Sequence, residues 1–158
     1  PAFVELFTPS ASPHHTNQKD WITEDYEKNT QYPEQLQHKC LSGELLRSKS
    51  EVIIANLLFT HHIPYRYECA LPLERLTFYP DFTILKMPER EEVYLEHFGM
   101  MDDLDYVRNV MRKLNTYEKN GIYIGVNLFV TYESVKYPLN TKGLDGLLKQ
   151  LFNIEKAG

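Results

Sequence analysis

The first clear helical pattern in the chain follows Ser48. Residues 48–51 have the S-x-x-E pattern of a capping box, in which a serine hydroxyl accepts a hydrogen bond from a free N–H group of the first turn. Apolar residues then recur at helical spacing as far as Thr60: Val52, Ile53, Leu57 and Leu58. The pattern predicts a first helix over residues 48–60.

A second helical pattern lies in the last third of the chain. Asp102 or Asp103 can cap this helix at its start, and Asn120 with Gly121 ends it. Its apolar positions recur at helical spacing: Leu104, Val107, Val110, Met111 and Leu114. We therefore predict a long second helix, and residues 144–152 predict a shorter amphipathic helix that closes the chain.

Short apolar and aromatic runs between and after these helices are typical of strands. Pro72 lies in the polar turn between the first two runs, and Pro88 with the charged residues after it marks the next turn. The predicted strands cover residues 65–70, 78–85, 93–98 and 126–132. The last strand should be parallel to its neighbour because it follows a crossover helix. The element order is α-β-β-β-α-β, with one further helix.

The first 34 residues show no sustained period. They contain four prolines among many polar residues, so we predict an irregular arm with a short helix near residues 20–29. We divide the chain into an irregular, partly helical N-terminal arm, residues 1–44, and an α/β domain, residues 45–158. The chain begins with Pro1 and has no apolar signal core, which leads us to expect a piece of a longer parent protein.

Composition limits the classes of function. Hydrophobic residues make up 42% of the 158 residues, enough for one core of ordinary size and a single compact domain. The formal net charge is −5, which argues against a broad surface that coats nucleic acid. It is compatible with a nuclease, because carboxylates that hold divalent metals make their own neighbourhood acidic.

Cysteine content and hydropathy point to the cytoplasm. Cys40 and Cys69 lie far apart and form no C-x-x-C pair, so the sequence predicts neither a disulfide framework nor a thiolate zinc site. The longest uncharged run, residues 52–65, is too short to span a bilayer. We therefore expect a cytoplasmic protein without a membrane partner.

Asp81 lies among apolar and aromatic residues in the predicted strand 78–85. An ionised carboxylate in an apolar setting is costly unless it is paired, hydrogen-bonded or bound to a cation. Strand alternation and in-register pairing would place Asp81 opposite Glu96 of the next strand. A divalent cation would remove the repulsion between these acids, because Mg²⁺ prefers oxygen ligands and commonly takes one or two carboxylates.

These residues carry a resemblance to a known family. The stretch YPDF, then YLEHFG after a turn, with Glu51 on the preceding helix and the α-β-β-β-α-β order, resembles the PD-(D/E)XK nuclease superfamily. Over residues 45–135 the chain also resembles a group of uncharacterised bacterial proteins placed in that superfamily. The resemblance implies a restriction-endonuclease-like α/β fold, with a mixed central sheet flanked by helices.

The resemblance also implies an activity, the metal-dependent cleavage of phosphodiester bonds in DNA. Asp81 and Glu96 would bind Mg²⁺ or Mn²⁺, with the backbone carbonyl of His97 as a further ligand. Glu51 would be an accessory acid of the same site. The sequence leaves open whether the chain acts alone, as a homodimer or within a larger protein.

The family pattern places a lysine two positions after the second acid, where this chain has Phe98. Some members carry the lysine on the following helix, and Lys113 is the candidate here, with Tyr117 one turn further on the same face. An ammonium there would hold the attacking water or stabilise the charged transition state. Lys49, inside the capping motif, is a further accessory candidate.

Each candidate also has a structural explanation. Glu51 is the acidic half of a capping box, and Asp81 follows a proline as turn acids do at strand edges. Glu96 suits a cross-strand ion pair, Lys113 suits a solvated helix face, and His97 alternates to the face opposite Glu96, where packing is favoured over catalysis.

Two other functions follow from these observations. Phe98 motivates the first, a catalytically inactive nuclease-like module that binds nucleic acid or a protein partner. The second is an unrelated zinc hydrolase that uses His97 or His61, which the poor spacing of the histidines makes the weakest hypothesis.

Overall fold

A computed structural model describes residues 19–154. Its helices, numbered in chain order, are α1 (Lys49–Thr60), α2 (Leu104–Lys119) and α3 (Thr141–Leu151), preceded by a helical turn at residues 19–23 and a 3-10 turn at Pro33–Gln35. Its strands are β1 (His38–Lys39), β2 (Leu45–Leu46), β3 (Tyr65–Tyr67), β4 (Leu71–Leu73), β5 (Leu76–Phe78), β6 (Phe82–Lys86), β7 (Glu91–Phe98) and β8 (Leu128–Tyr132).

The central sheet is mixed and has the strand order β3-β6-β7-β8. Strands β3, β6 and β7 are antiparallel neighbours, whereas β8 runs parallel to β7 after the α2 crossover. The other strands form two small antiparallel pairs, β1 with β2 and β4 with β5. The protein is therefore a mixed α/β fold whose central sheet is flanked by helices.

Alternation along β6 and β7 divides the core between the two faces of the sheet. One face packs against α1 and α3 through a buried apolar cluster that includes Ile54, Leu58, Phe82, Leu95 and Leu148. The other face packs against α2 and the β4–β5 pair through Phe78, Tyr94, Tyr117 and Leu128. The two side chains next to each other at the end of β7, Glu96 and His97, therefore belong to opposite layers.

The starts of α1 and α2 follow the predicted caps, whereas α3 begins at Thr141, three residues before its predicted start. The Ser48 side chain accepts the Glu51 N–H at 3.2 Å at the start of α1, and Asp103 accepts the Tyr106 N–H at 3.0 Å at the start of α2. Asn140 caps α3 in the same way, by accepting the Gly143 N–H at 2.9 Å. Each cap satisfies one N–H group that has no partner inside its helix.

The prediction of one strand over residues 78–85 is wrong. The structure divides that segment between β5, which pairs with β4, and β6, which begins at Phe82 in the central sheet. Asp81 therefore lies just before a strand and not in its middle. Pro80 accounts for the break, because proline has no N–H group to donate to a ladder.

Two helical predictions are also corrected. Residues 20–29 are not one helix, because the helical turn ends at residue 23 and the backbone of Glu27 accepts the Ala70 N–H at 2.8 Å. In α2 the predicted apolar positions Leu104 and Met111 are 64% and 63% exposed. The helix packs through two other predicted positions, Val110 and Leu114, and through Tyr117.

The arm and the domain meet through regular structure. Strand pair β1–β2 joins residues on the two sides of the predicted boundary at 44/45, and Arg47 binds the backbone carbonyls of Gln31 and Tyr32. Residues 1–18, the first part of the predicted arm, and residues 155–158 lie outside the described residues. No helix within residues 19–154 is long and apolar enough to cross a membrane.

Candidate functional site

A cleft of about 240 Å³ lies between the end of β7 and α2. It is lined by residues from both elements and by the residue before β6: Asp81, Glu96, His97, Phe98, Tyr106, Asn109, Val110 and Lys113. Four of the candidate residues from the sequence therefore line this cleft, namely Asp81, Glu96, Lys113 and His97, which was predicted as a ligand through its backbone carbonyl.

Asp81 and Glu96 face each other through reciprocal backbone contacts. Phe82 pairs with Leu95, so Asp81 and Glu96 are opposite at the next position outward. The Asp81 N–H donates to Glu96 Oε1 at 3.0 Å, and the His97 N–H donates to Asp81 Oδ2 at 2.7 Å. Each carboxylate is therefore fixed by the backbone of the opposite segment, which sets the distance between them.

Lys113 supplies a positive charge to this pair. Its Nζ lies 2.8 Å from Glu96 Oε2, and the Glu96 side chain is only 2% exposed. Burial alone would lower the pKa of the Lys113 ammonium, but the adjacent Glu96 carboxylate outweighs burial and raises that pKa. The lysine is consequently held in its charged form against a buried carboxylate.

Negative charge remains in excess in the cleft. Burial raises the pKa of Asp81 well above its ordinary value, and the charges of Glu96 and Glu51 raise it further. The His97 N–H and the Lys113 ammonium lower it only in part. One ammonium thus faces two carboxylates in the cleft and a third nearby, which favours either a proton or a cation on Asp81.

Glu51 lies behind the cleft and not in its lining. Its Oε2 accepts hydrogen bonds from the hydroxyls of Ser48 and Tyr67, both at 3.1 Å. Burial raises the pKa of Glu51, while the Ser48 and Tyr67 hydroxyls lower it in part. Glu51 therefore influences Asp81 through its charge, while its Oε2 accepts from two neighbouring hydroxyls.

The remaining candidates occupy different places. Tyr117 is fully buried, its ring packs 5.5 Å from that of Phe78, and within residues 19–154 its hydroxyl has no hydrogen-bond partner. Lys49 is the first residue of α1 and forms no ion pair with the cleft carboxylates among the residues described. Phe98, where the family pattern has a lysine, is buried at 5% exposure and lines the cleft.

His97 and His61 bind different partners in different parts of the structure. The His97 ring bonds Thr131 Oγ1 at 2.8 Å and Glu133 Oε1 at 2.7 Å, and the Ser50 hydroxyl donates to the same glutamate oxygen. His61 instead pairs with Asp145 at 2.6 Å, between α1 and α3. The arrangement gives a zinc site built on these two histidines no support.

Sequence reasoning missed two cleft residues, Tyr106 and Asn109. Both lie on the face of α2 that carries Lys113, at seven and four positions before it. A helical wheel drawn around the lysine would have revealed them. No pattern in the sequence predicts the contact between Glu133 and His97, because the two residues are 36 positions apart in sequence.

The chemistry of the cleft suits a hard divalent cation. Among residues 19–154, no group of three or more His, Cys, Asp or Glu side chains is arranged to hold a metal ion. Mg²⁺ commonly binds through only one or two carboxylates and completes its shell with water and substrate oxygens. Asp81 and Glu96 are two carboxylates that could take part in such a shell, and the excess of negative charge at Asp81 favours a proton or a cation there.

Comparison of the chain with protein-family models, with curated proteins and with solved structures found no match. Only the fold and the cleft therefore bear on the function of this protein.

Proposed function

We propose that this protein is a divalent-metal-dependent nuclease that acts on DNA. One observation carries the proposal: the ammonium of Lys113 lies 2.8 Å from Glu96, whose other oxygen accepts the N–H of Asp81. Two carboxylates and a lysine in one cleft are the groups that metal-assisted phosphodiester hydrolysis requires.

The order of the elements supports a restriction-endonuclease-like fold. Helix α1, strands β3, β6 and β7, helix α2 and strand β8 follow one another as α-β-β-β-α-β, if the separate β4–β5 pair is taken as an insertion. The antiparallel run followed by one parallel strand agrees with the same proposal. Membership in the PD-(D/E)XK superfamily is part of what we propose.

Lys113 could replace the lysine that the family pattern places on the strand and that this chain lacks. In the family pattern the lysine would stand where this chain has Phe98, whereas α2 brings an ammonium to the same carboxylate from the opposite wall of the cleft. We propose that Lys113 holds the attacking water or stabilises the charge on the phosphate in the transition state. Phe98 would then have a packing role and take no part in the reaction.

Asp81, Glu96 and the carbonyl of His97 would hold Mg²⁺ or Mn²⁺, which supplies a lowered water pKa and neutralises developing phosphate charge. The raised pKa of Asp81 has a direct consequence for this step. Because ligation requires the ionised carboxylate, metal uptake should release a proton at any pH where Asp81 is still protonated, and it should weaken as the pH falls.

The test is cleavage of supercoiled plasmid and of single-stranded and duplex oligonucleotides with Mg²⁺, with Mn²⁺ and with EDTA. We expect metal-dependent cleavage by the wild-type protein, and its loss in Asp81→Ala and Glu96→Ala. Lys113→Met should lower the rate by about 10²-fold or more. Lys119→Met, an exposed lysine of the same helix, is the matched control and should cleave normally. Unchanged activity in both carboxylate variants would defeat the site.

A nuclease-like module without catalysis is the second candidate. It is favoured by one observation: both oxygens of Glu96 already accept hydrogen bonds from the protein, from Asp81 and from Lys113. Calorimetric titration with Mg²⁺ and Mn²⁺ separates the two candidates. Metal uptake that disappears in Asp81→Ala supports the nuclease, whereas no uptake together with binding of DNA or a protein supports the module.

Cutting both strands of a duplex at one place requires two cleavage sites. We propose a homodimer, or a larger parent protein, as the source of the second site. The two free thiols, Cys40 and Cys69, agree with action in the reducing cytoplasm. Sedimentation of the protein with and without duplex DNA measures the oligomeric state.

A further inference from the structure

Helix α2 presents polar side chains along the wall of the cleft opposite the carboxylates. Tyr106 and Asn109 line the cleft beside Lys113, and the Arg112 guanidinium bonds Asn109 Oδ1 at 3.0 Å. These residues lie within two turns of one helix, so a single rigid element carries them. The nuclease chemistry described above uses only the lysine.

In the hydrogen bonds that Tyr106 and Asn109 make, their oxygens act as acceptors, and their O–H and N–H donors remain available. Tyr106 accepts the Gly99 N–H at 3.1 Å, so its own O–H proton remains to be donated. Burial, followed by the charge of Asp81, raises the pKa of Tyr106, which keeps that proton in place. Asn109 uses its oxygen for Arg112, which leaves its amide N–H groups as donors.

Donors and cations on one wall match an anion that has several oxygen acceptors. Arg112 lies beside the cleft lining, where its guanidinium bonds Asn109, and with Lys113 it places two adjacent cations on this helix in a chain whose net charge is −5. Arginine guanidinium groups suit phosphate oxygens in particular. A phosphate placed here would lie directly across the cleft from Asp81 and Glu96.

The size of the cleft limits what can enter it. Its volume of about 240 Å³ is below the roughly 300–1,000 Å³ of ordinary ligand pockets. A phosphodiester group can enter such a space, whereas a nucleoside with its base would be left outside. Contacts to phosphate position a nucleic acid without reading its sequence.

We propose that Tyr106, Asn109 and Arg112 form a phosphate-binding wall that holds the sugar–phosphate backbone of DNA against the carboxylates without reading its bases. This inference rests on the proposed function, because it takes DNA as the ligand. It adds the residues that bind the substrate and a lack of sequence preference.

Fluorescence anisotropy with fluorescein-labelled duplexes of two unrelated sequences tests the wall, with Ca²⁺ and separately with EDTA. Tyr106→Phe and Asn109→Ala remove neutral donors, so each should weaken binding about ten-fold without changing its salt dependence. Arg112→Gln should also reduce the slope of log affinity against log salt by about 1. Arg108→Gln is the matched control, because Arg108 is 63% exposed and pairs only weakly with Asp105 at 3.7 Å.

The outcomes separate this inference from the proposed nuclease activity. Equal affinity for both duplexes, with losses confined to the three wall variants, supports the wall whether or not Mg²⁺ produces cleavage. Cleavage by the wild-type protein together with unchanged affinity in the wall variants overturns the wall and leaves the nuclease standing. A strong preference for one duplex overturns the claim that bases are not read. Thermal unfolding of each variant identifies losses that come from misfolding.

Discussion

Replacing Asp81 by asparagine should stabilise the protein at neutral pH while it removes metal-dependent cleavage. The substitution removes a charge that the cleft compensates only in part. It retains an oxygen that can accept the His97 N–H, which Asp81 Oδ2 accepts at 2.7 Å. The local backbone geometry should therefore survive the change.

The size of the effect follows from the pKa of Asp81. Burial, together with the charges of Glu96 and Glu51, raises this pKa in the folded protein. Between the unfolded pKa of about 3.9 and the raised folded pKa, the folded state keeps a proton that the unfolded state has released. The free energy of unfolding then falls as pH rises, by about 1.4 kcal/mol per pH unit. Above the folded pKa the loss is complete and constant.

Urea unfolding of both proteins at a series of pH values, in EDTA, measures this difference. The two proteins should be equally stable near the unfolded pKa of about 3.9, and Asp81→Asn should become the more stable one as the pH rises. Asp105→Asn, at a side chain that is 91% exposed, is the control and should show no change of slope. A variant less stable than wild type at neutral pH, with the wild-type slope, would refute the reasoning.

Magnesium should reduce the stability advantage of Asp81→Asn over the wild-type protein. Binding to the ionised wild-type site would stabilise it by about 2.7 kcal/mol at a hundred-fold excess over Kd, while the asparagine variant should gain little. Equal stabilisation of the two proteins would place the cation elsewhere.

Two further predictions concern the polar groups of Glu133 and Tyr117. Burial would raise the pKa of Glu133, but the Ser50 hydroxyl and the His97 ring outweigh it and lower that pKa. The ionised Glu133 therefore stabilises the fold above its unfolded pKa of about 4.3, and this stabilisation is lost as the pH falls through the folded pKa. Glu133→Gln should lower the free energy of unfolding by about 1 kcal/mol at pH 7 and by less in acid. Urea unfolding measures the difference. Tyr117→Phe removes a buried hydroxyl that has no partner within residues 19–154, and should raise the free energy of unfolding by about 1 kcal/mol with cleavage unchanged. Loss of cleavage in that variant would give the hydroxyl a role in the site.

Local rules accounted for much of the fold. The capping pattern at Ser48 and the acid at Asp103 set the starts of α1 and α2, because a cap depends on a few neighbouring residues. The parallel β8 followed from the crossover helix, since chain connectivity restricts the hand and direction of such units. Alternation likewise assigned Glu96 and His97 to opposite layers.

Other features depended on contacts that the sequence does not display. The β4–β5 pair turns at Glu74, a residue with φ of +53°, and nothing in its type signals a left-handed conformation. Helical periodicity marked Leu104 and Met111 as core, but a wide apolar stripe does not say which of its edges meets the sheet. The partners of His97 come from β8 and the segment after it, so only the assembled sheet reveals them.

Because Lys113 is carried by a helix, the position of its ammonium depends on how far that helix is rotated about its axis. A one-residue insertion between Asp103 and Lys113 would turn the ammonium by about 100° around the axis of α2, away from Glu96. The same insertion after Asn120, beyond the end of the helix, would leave that angle unchanged. Related chains that keep this arrangement should therefore vary in the length of the loops around α2 and conserve the number of residues from its cap to its lysine.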